Sequence, residues 1–149
     1  MNLKNYTSGV PVHVTIGRIE KILCEAGVLG VSKRYECGKI AALTFSMPTP
    51  TGGAVAIRLP VDAPAVRESL FTNYCRSVGT ARKTRDDFND QSERTAWKLM
   101  QDWIEVQISL VQMQKIDPLQ VFIAFAWDGE QTYYERLKSG GFKQLAEKT

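Results

Sequence analysis

Histidine is the scarcest catalytic residue in this sequence. The only one in 149 residues is His13, in "PVHVT" near the start. A Ser-His-Asp or Cys-His nucleophile would have to recruit that one imidazole, so His13 reads as a surface or edge residue. Cysteine is scarce too: Cys24, Cys37 and Cys75 are an odd set without CxxC or zinc-ligand spacing. Reduced thiols are therefore expected, with Cys24 a small core residue on an apolar helical face. There is no GxGxxG, P-loop or HExxH pattern. Glu36 and Lys39 sit at the wrong spacing for a nuclease ExK pair, and no acid pair precedes them on a strand. Long hydrophobic runs are missing as well. The longest, Val121 to Trp127, is far too short to span a bilayer. The opening "MNLKNYTSGVPVHVT" lacks the apolar stretch of a signal peptide. These absences lead us to expect a cytoplasmic protein without a membrane partner, a metal or a cofactor, and not an enzyme.

Hydrophobic residues make up 44% and charged residues 23% of the chain, so global disorder is not expected. A chain of this length buries a core without metal or disulfide staples. The net charge of +3 is mildly basic and does not by itself argue for nucleic acid.

Residues Met1 to His13 read as an extended arm. Thr15 is placed to cap a helix whose apolar residues Ile16, Ile19, Ile22, Leu23 and Ala26 share one face, with Gly27 ending it. Alternation then predicts a strand through Val31, Lys33 and Tyr35, a tight turn at Cys37-Gly38, and a second strand from Ile40 to Met47. "PTPTGG" is a turn, and Ala54 to Pro60 a third strand. A meander is the simplest topology. Ala41, Leu43, Phe45 and Met47 are expected on one face with Val55, Ile57 and Leu59. The other face carries Ile40, Ala42, Thr44, Ala54, Ala56 and Arg58. Its small residues imply a covered face or one that meets another subunit.

Asp62 and Pro64 begin a second helix, with Val66, Leu70, Phe71 and Tyr74 on one side. The longest helix starts at Asp90 or Ser92 and reaches about Gln114. Its polar stripe runs through Arg94, Lys98, Gln101, Asp102 and Glu105, and its apolar arc includes Trp97, Trp103 and Ile108. The two tryptophans read as core anchors. After Asp117-Pro118 the run "VFIAF" fits helix and strand alike. Thr132 and Glu135 form a capping box for "YYERLK". The expected fold is α+β: a three-stranded antiparallel meander flanked by helices, with a long central helix in the C-terminal half. We read residues 1–149 as one domain, with a helix–three-strand–helix unit at 15–78, a linker at 79–91 and a helical part at 92–142.

"DDFND" (Asp86 to Asp90) has the DDxxD form with which prenyl-diphosphate synthases hold magnesium. The chain has one copy and no second aspartate-rich helix. Acids favouring the N-terminus of the following helix explain it better, with Arg82, Lys83 and Arg85 pairing locally with them. The basic residues are the stronger candidates. Lys33, Arg34 and Lys39 flank the hairpin, Arg58 lies on the third strand, and Arg82, Lys83 and Arg85 lie in the linker. Brought to one side, they form a patch for phosphates. Tyr35 is the obvious stacking residue beside them.

The helix–strand–strand–strand–helix order resembles a double-stranded-RNA-binding domain in topology alone. That family's lysine cluster at the second helix is absent from "VDAPAVRESL". The runs "YECGKIAALTF", "IRLP", "ERTAWKLMQDWIEVQISLVQMQKIDPLQVF" and "YYERLK" resemble a family of small phage- and prophage-encoded proteins without an assigned activity. The likeness covers about Ile19 to Phe142 and departs at "FIAFAW", where that family has a proline-containing stretch. The resemblance implies a phage-linked setting and carries over no site residues.

The expected function is a phage-type accessory protein that binds DNA or RNA non-enzymatically through the hairpin and linker bases. The alternative is a protein-interaction module, an inhibitor or adaptor acting on a host or phage protein, or a homo-oligomer, using an apolar sheet or helix face. An uncovered Ala42/Thr44/Ala56 face would favour that alternative, and a contiguous basic groove would favour nucleic acid. An enzyme or ligand-binding protein with a pocket between sheet and long helix is the third class.

Overall fold

The computed structural model describes residues 2–80 and 82–147. The element order is α1 (Val12–Glu25), β1 (Gly30–Glu36), β2 (Lys39–Pro48), β3 (Ala54–Arg58), α2 (Ala63–Ser77), α3 (Asn89–Gln114), α4 (Pro118–Phe122) and α5 (Tyr133–Ser139). Short 3-10 turns occupy Arg85–Phe88, Ile123–Phe125 and Lys143–Leu145. This is an α+β protein: a three-stranded antiparallel sheet in the order β1-β2-β3, with helices before and after it in the chain. No helix among the described residues is long and apolar enough to cross a membrane. The chain forms two compact units, Met1–Ile22 with Val61–Val106, and Leu23–Pro60 with Gln107–Thr149.

The first unit has a core of Val66 and Leu70 from α2 and Ala96 from α3, with Leu3, Val61, Phe88 and Leu99 packed around them. Asp62 caps α2 by accepting from Ala65 N, and proline stands in its first turn, where a missing N–H costs nothing. The segment before α1 is not an extended arm. It turns at Lys4–Thr7, with Asn5 at φ 63°, and is tied to α3 by polar groups. Ser8 O accepts from Gln91 Nε2 and Arg94 Nε, and Asn5 O accepts from Thr95 Oγ1. Thr15 is not a cap. The helix already begins at Val12, Pro11 O receives the N–H groups of Val14 and Thr15, and the Thr15 side chain is fully buried.

Along α3 the buried positions Trp97, Gln101, Ile104 and Ile108 recur at helical spacing. Gln101 therefore leaves the polar stripe the sequence predicts, and Ser92 and Thr95 are buried as well. Trp97 is buried, as an anchor should be, whereas Trp103 is half-buried. Cys24 is exposed rather than a core residue, as are Cys37 and Cys75, and all three are free thiols.

The second unit is built on the sheet. Leu43, Phe45, Met47, Ile57 and Leu59 are buried on one face, as alternation predicts. Phe45 meets Phe122 edge-to-face at 5.4 Å between centroids. Full burial of each large apolar side chain here stabilises by roughly 2 kcal/mol. Ile40 was expected on the opposite face but is buried with this set. The register shifts between Arg34 and Tyr35: Arg34 pairs with Ala42 and Tyr35 with Ile40, leaving Ala41 as a bulge. That extra residue turns Ile40 onto the face of Leu43. The β1–β2 turn places both Cys37 (φ 50°) and Gly38 (φ 76°) in the left-handed region, the backbone of a type I′ hairpin.

Candidate nucleic-acid interface

Residues paired across an antiparallel sheet project to the same face. Arg34 pairs with Ala42, and Thr44 pairs with Ser32 on one side and Arg58 on the other. Arg34 and Arg58 therefore stand on one face of the sheet, opposite the apolar core face. The small side chains Ala42 and Thr44 lie between them. Together with Ser32, Trp127 and Gly129 these residues line a groove of about 300 Å³. The small-residue face seen in the sequence is the floor of this groove.

Trp127 reaches the groove through β3. Ala126 bridges Ile57, and Trp127 N donates to Ala56 O at 2.8 Å. This sets the indole on the same face as Arg58, whose guanidinium carbon lies 4.3 Å from the ring centroid. Held in this way, Arg58 is half-buried and oriented. The turn that follows is fixed by Asp128, whose carboxylate accepts from Glu130 N and Gln131 N. Those backbone bonds, with the Arg136 guanidinium paired to it, hold the Asp128 carboxyl below its usual range.

The basic residues predicted as a site divide between the two units. In the second unit Arg34 and Arg58 come together at the groove. Arg34 also pairs with Glu36 at 3.3 Å. Lys33 is in register with Leu43, which gives it the opposite sheet face, and Lys39 faces Glu36 across the turn. Basic residues on an edge strand such as β1 also discourage pairing with other chains. Tyr35 is 58% exposed, but its register with Ile40 turns it away from Arg34 and Arg58.

In the first unit the linker bases are folded onto α2. Tyr74 Oη accepts the backbone N–H of both Arg82 and Lys83. Lys83 Nζ lies 5.8 Å from the Tyr74 ring centroid and 5.7 Å from that of Phe88. Arg85, expected beside the aspartates, reaches back to α2. Its Nε donates to both carboxylate oxygens of Glu68, and its guanidinium lies 4.5 Å from the Phe71 centroid. Asp87 accepts from Thr84 N, which closes a capping box on the 3-10 turn. Among the described residues no group of three or more histidines, cysteines or acids is arranged to hold a metal ion.

The sequence reading missed Trp127. Its one signal was the apolar run ending in Trp127-Asp128-Gly129, a strand end followed by a turn pair. No protein-family model, no curated protein and no solved structure matches this chain.

Proposed function

We propose that this protein is a non-enzymatic nucleic-acid-binding protein whose contact surface centres on the groove face of its sheet. The observation that supports this best is the placement of Arg34 and Arg58 on one sheet face across a floor of small residues. Two guanidiniums with the Ser32 and Thr44 hydroxyls between them offer charge-assisted donors to phosphate oxygens. Contacts of this kind position a backbone and read little sequence. The phage-type setting rests on the resemblance of the sequence alone. The alternative, a protein-interaction module, would use the Ala42/Thr44/Ala56 face. That face is rimmed by arginines, which favours the nucleic-acid reading.

The test is a fluorescence-anisotropy titration of labelled single-stranded DNA, duplex DNA and RNA at two salt concentrations. The proposal expects binding that weakens as salt rises. Absence of binding to every form at low salt, where electrostatic attraction is strongest, would overturn it.

A further inference from the structure

Trp127 is a wall residue of the groove at Arg34 and Arg58. Trp127 also lines a second groove of about 290 Å³, with Ala56, Gln131, Tyr133 and Arg136 among its walls. Tyr133 and Arg136 in turn line a third, of about 390 Å³, that extends to Lys143. Sharing these wall residues, the three concavities lie side by side in the second unit as a track. Along it cations and rings interleave: Arg34 and Arg58, then Trp127, then Tyr133 with Arg136, then Lys143.

We propose that this track binds single-stranded nucleic acid, with phosphates at Arg34, Arg58 and Lys143 and bases against Trp127 and Tyr133. The inference rests on the nucleic-acid reading above and narrows it to the single strand. The rings carry the argument. In a duplex each base is stacked on its neighbours and paired, so its face is closed to a side chain. In a single strand every base offers a π-face, and aromatic side chains interleaved with cations form the general platform for it. A cationic surface alone would serve a duplex equally well. Trp127 with Arg58 layered on it is one such platform, and the exposed Tyr133 is a second.

Asp128 fits the same scheme. Asp128 lines the second groove, and its carboxylate pairs with Arg136. Phosphate is therefore disfavoured at that point of the track, where a base is better placed. Asp128→Asn keeps an oxygen for the turn N–H groups and removes the charge that occupies Arg136.

The experiment titrates labelled oligothymidylate, oligouridylate of equal length and a DNA duplex of that length with the full chain at low salt. The wild type is compared with Tyr133→Leu, Trp127→Leu and Asp128→Asn. At least one single strand should bind more tightly than the duplex. Each ring variant should weaken single-strand binding at least about fivefold, the lower end for loss of one stacked base. Asp128→Asn should tighten it. Circular dichroism shows whether Trp127→Leu is folded, and Tyr133→Leu, at an exposed position, carries the test if it is not. Duplex binding as tight as single-strand binding, with ring variants unchanged, would overturn the single-strand inference and leave the general reading standing. Failure of all three nucleic acids to bind would remove the general reading itself.

Discussion

The Arg58 guanidinium lies over the Trp127 indole, 4.3 Å from the ring centroid. The two residues are distant in sequence and meet because Ala126 bridges Ile57 at the outer edge of β3. The pairing gives the sheet a polar face with an oriented cation, whereas the other face is closed by Phe45, Ile57 and their neighbours. One short backbone contact thereby turns a run of small residues into the floor of a groove.

The β1–β2 turn carries a removable strain. Cys37 holds φ 50°, a left-handed conformation that costs most side chains about 1–2 kcal/mol and asparagine less. Cys37→Asn should raise unfolding stability by up to about 1 kcal/mol in a urea melt. It would also create the Asn-Gly pair that type I′ turns prefer. A lower midpoint would show that the thiol makes contacts the turn needs.

Thr15 is fully buried, and its hydroxyl has no hydrogen-bond partner among the described residues. A buried polar atom left unsatisfied costs roughly 1–3 kcal/mol. Valine has the same branched shape without the hydroxyl. Thr15→Val should therefore raise stability by about 1 kcal/mol, measured as a shift in urea midpoint at unchanged slope. Destabilisation would mean that the hydroxyl is satisfied in solution.

Asp102 ties the N-terminal segment to α3, accepting from Asn5 Nδ2 at 2.8 Å and pairing with Lys4 at 2.9 Å and Lys98 at 3.4 Å. Burial pushes its carboxyl pKa up. The hydrogen bonds from Asn5 and Lys4 and the charges of Lys98 and Lys4 outweigh burial and hold it below the ordinary 3.8. A depressed folded pKa means stability that is present above the unfolded value and lost as pH falls through the lower folded one. Asp102→Asn should thus be less stable than wild type near neutral pH, and the gap should close as pH drops below 3.8. Urea melts across pH read this directly. A gap that does not change with pH would assign the effect to shape rather than charge.

Much of the sheet is legible from alternation. Phe45 and Ile57 share a face because each sits at the right step of a period-two pattern. The α2 and α5 starts are legible because Asp62 and Thr132 are cap residues with a defined reach. Ile40 is not legible, because a bulge at Ala41 shifts the period by one residue and nothing local announces it. Thr15 is misread because a good cap residue is equally compatible with the inside of a first turn once Pro11 precedes it. Arg34 and Arg58 could be named from the sequence, since charge needs no fold to be seen. Their shared face follows from register, and Trp127 follows from a single bridge at the end of a segment that fits helix and strand alike. The sequence pairs Arg85 with the neighbouring aspartates, whereas the structure sets it on Glu68. Its capture by Glu68 is a contact between α2 and the linker that no local pattern encodes.

The most direct test compares two variants for the salt dependence of single-strand binding. Arg34→Ala/Arg58→Ala removes the groove cations, and Arg82→Ala/Lys83→Ala/Arg85→Ala removes the linker cations. On a single strand each lost phosphate contact makes the fall of log K with log salt shallower by about 0.7. The double variant should lose about 1.4 from the steepness of that slope and weaken binding evenly across sequences. The triple variant should change less, because the Arg85 guanidinium is already paired with both carboxylate oxygens of Glu68. An unchanged slope in the double variant would contradict the central claim that the groove face of the sheet is the contact surface.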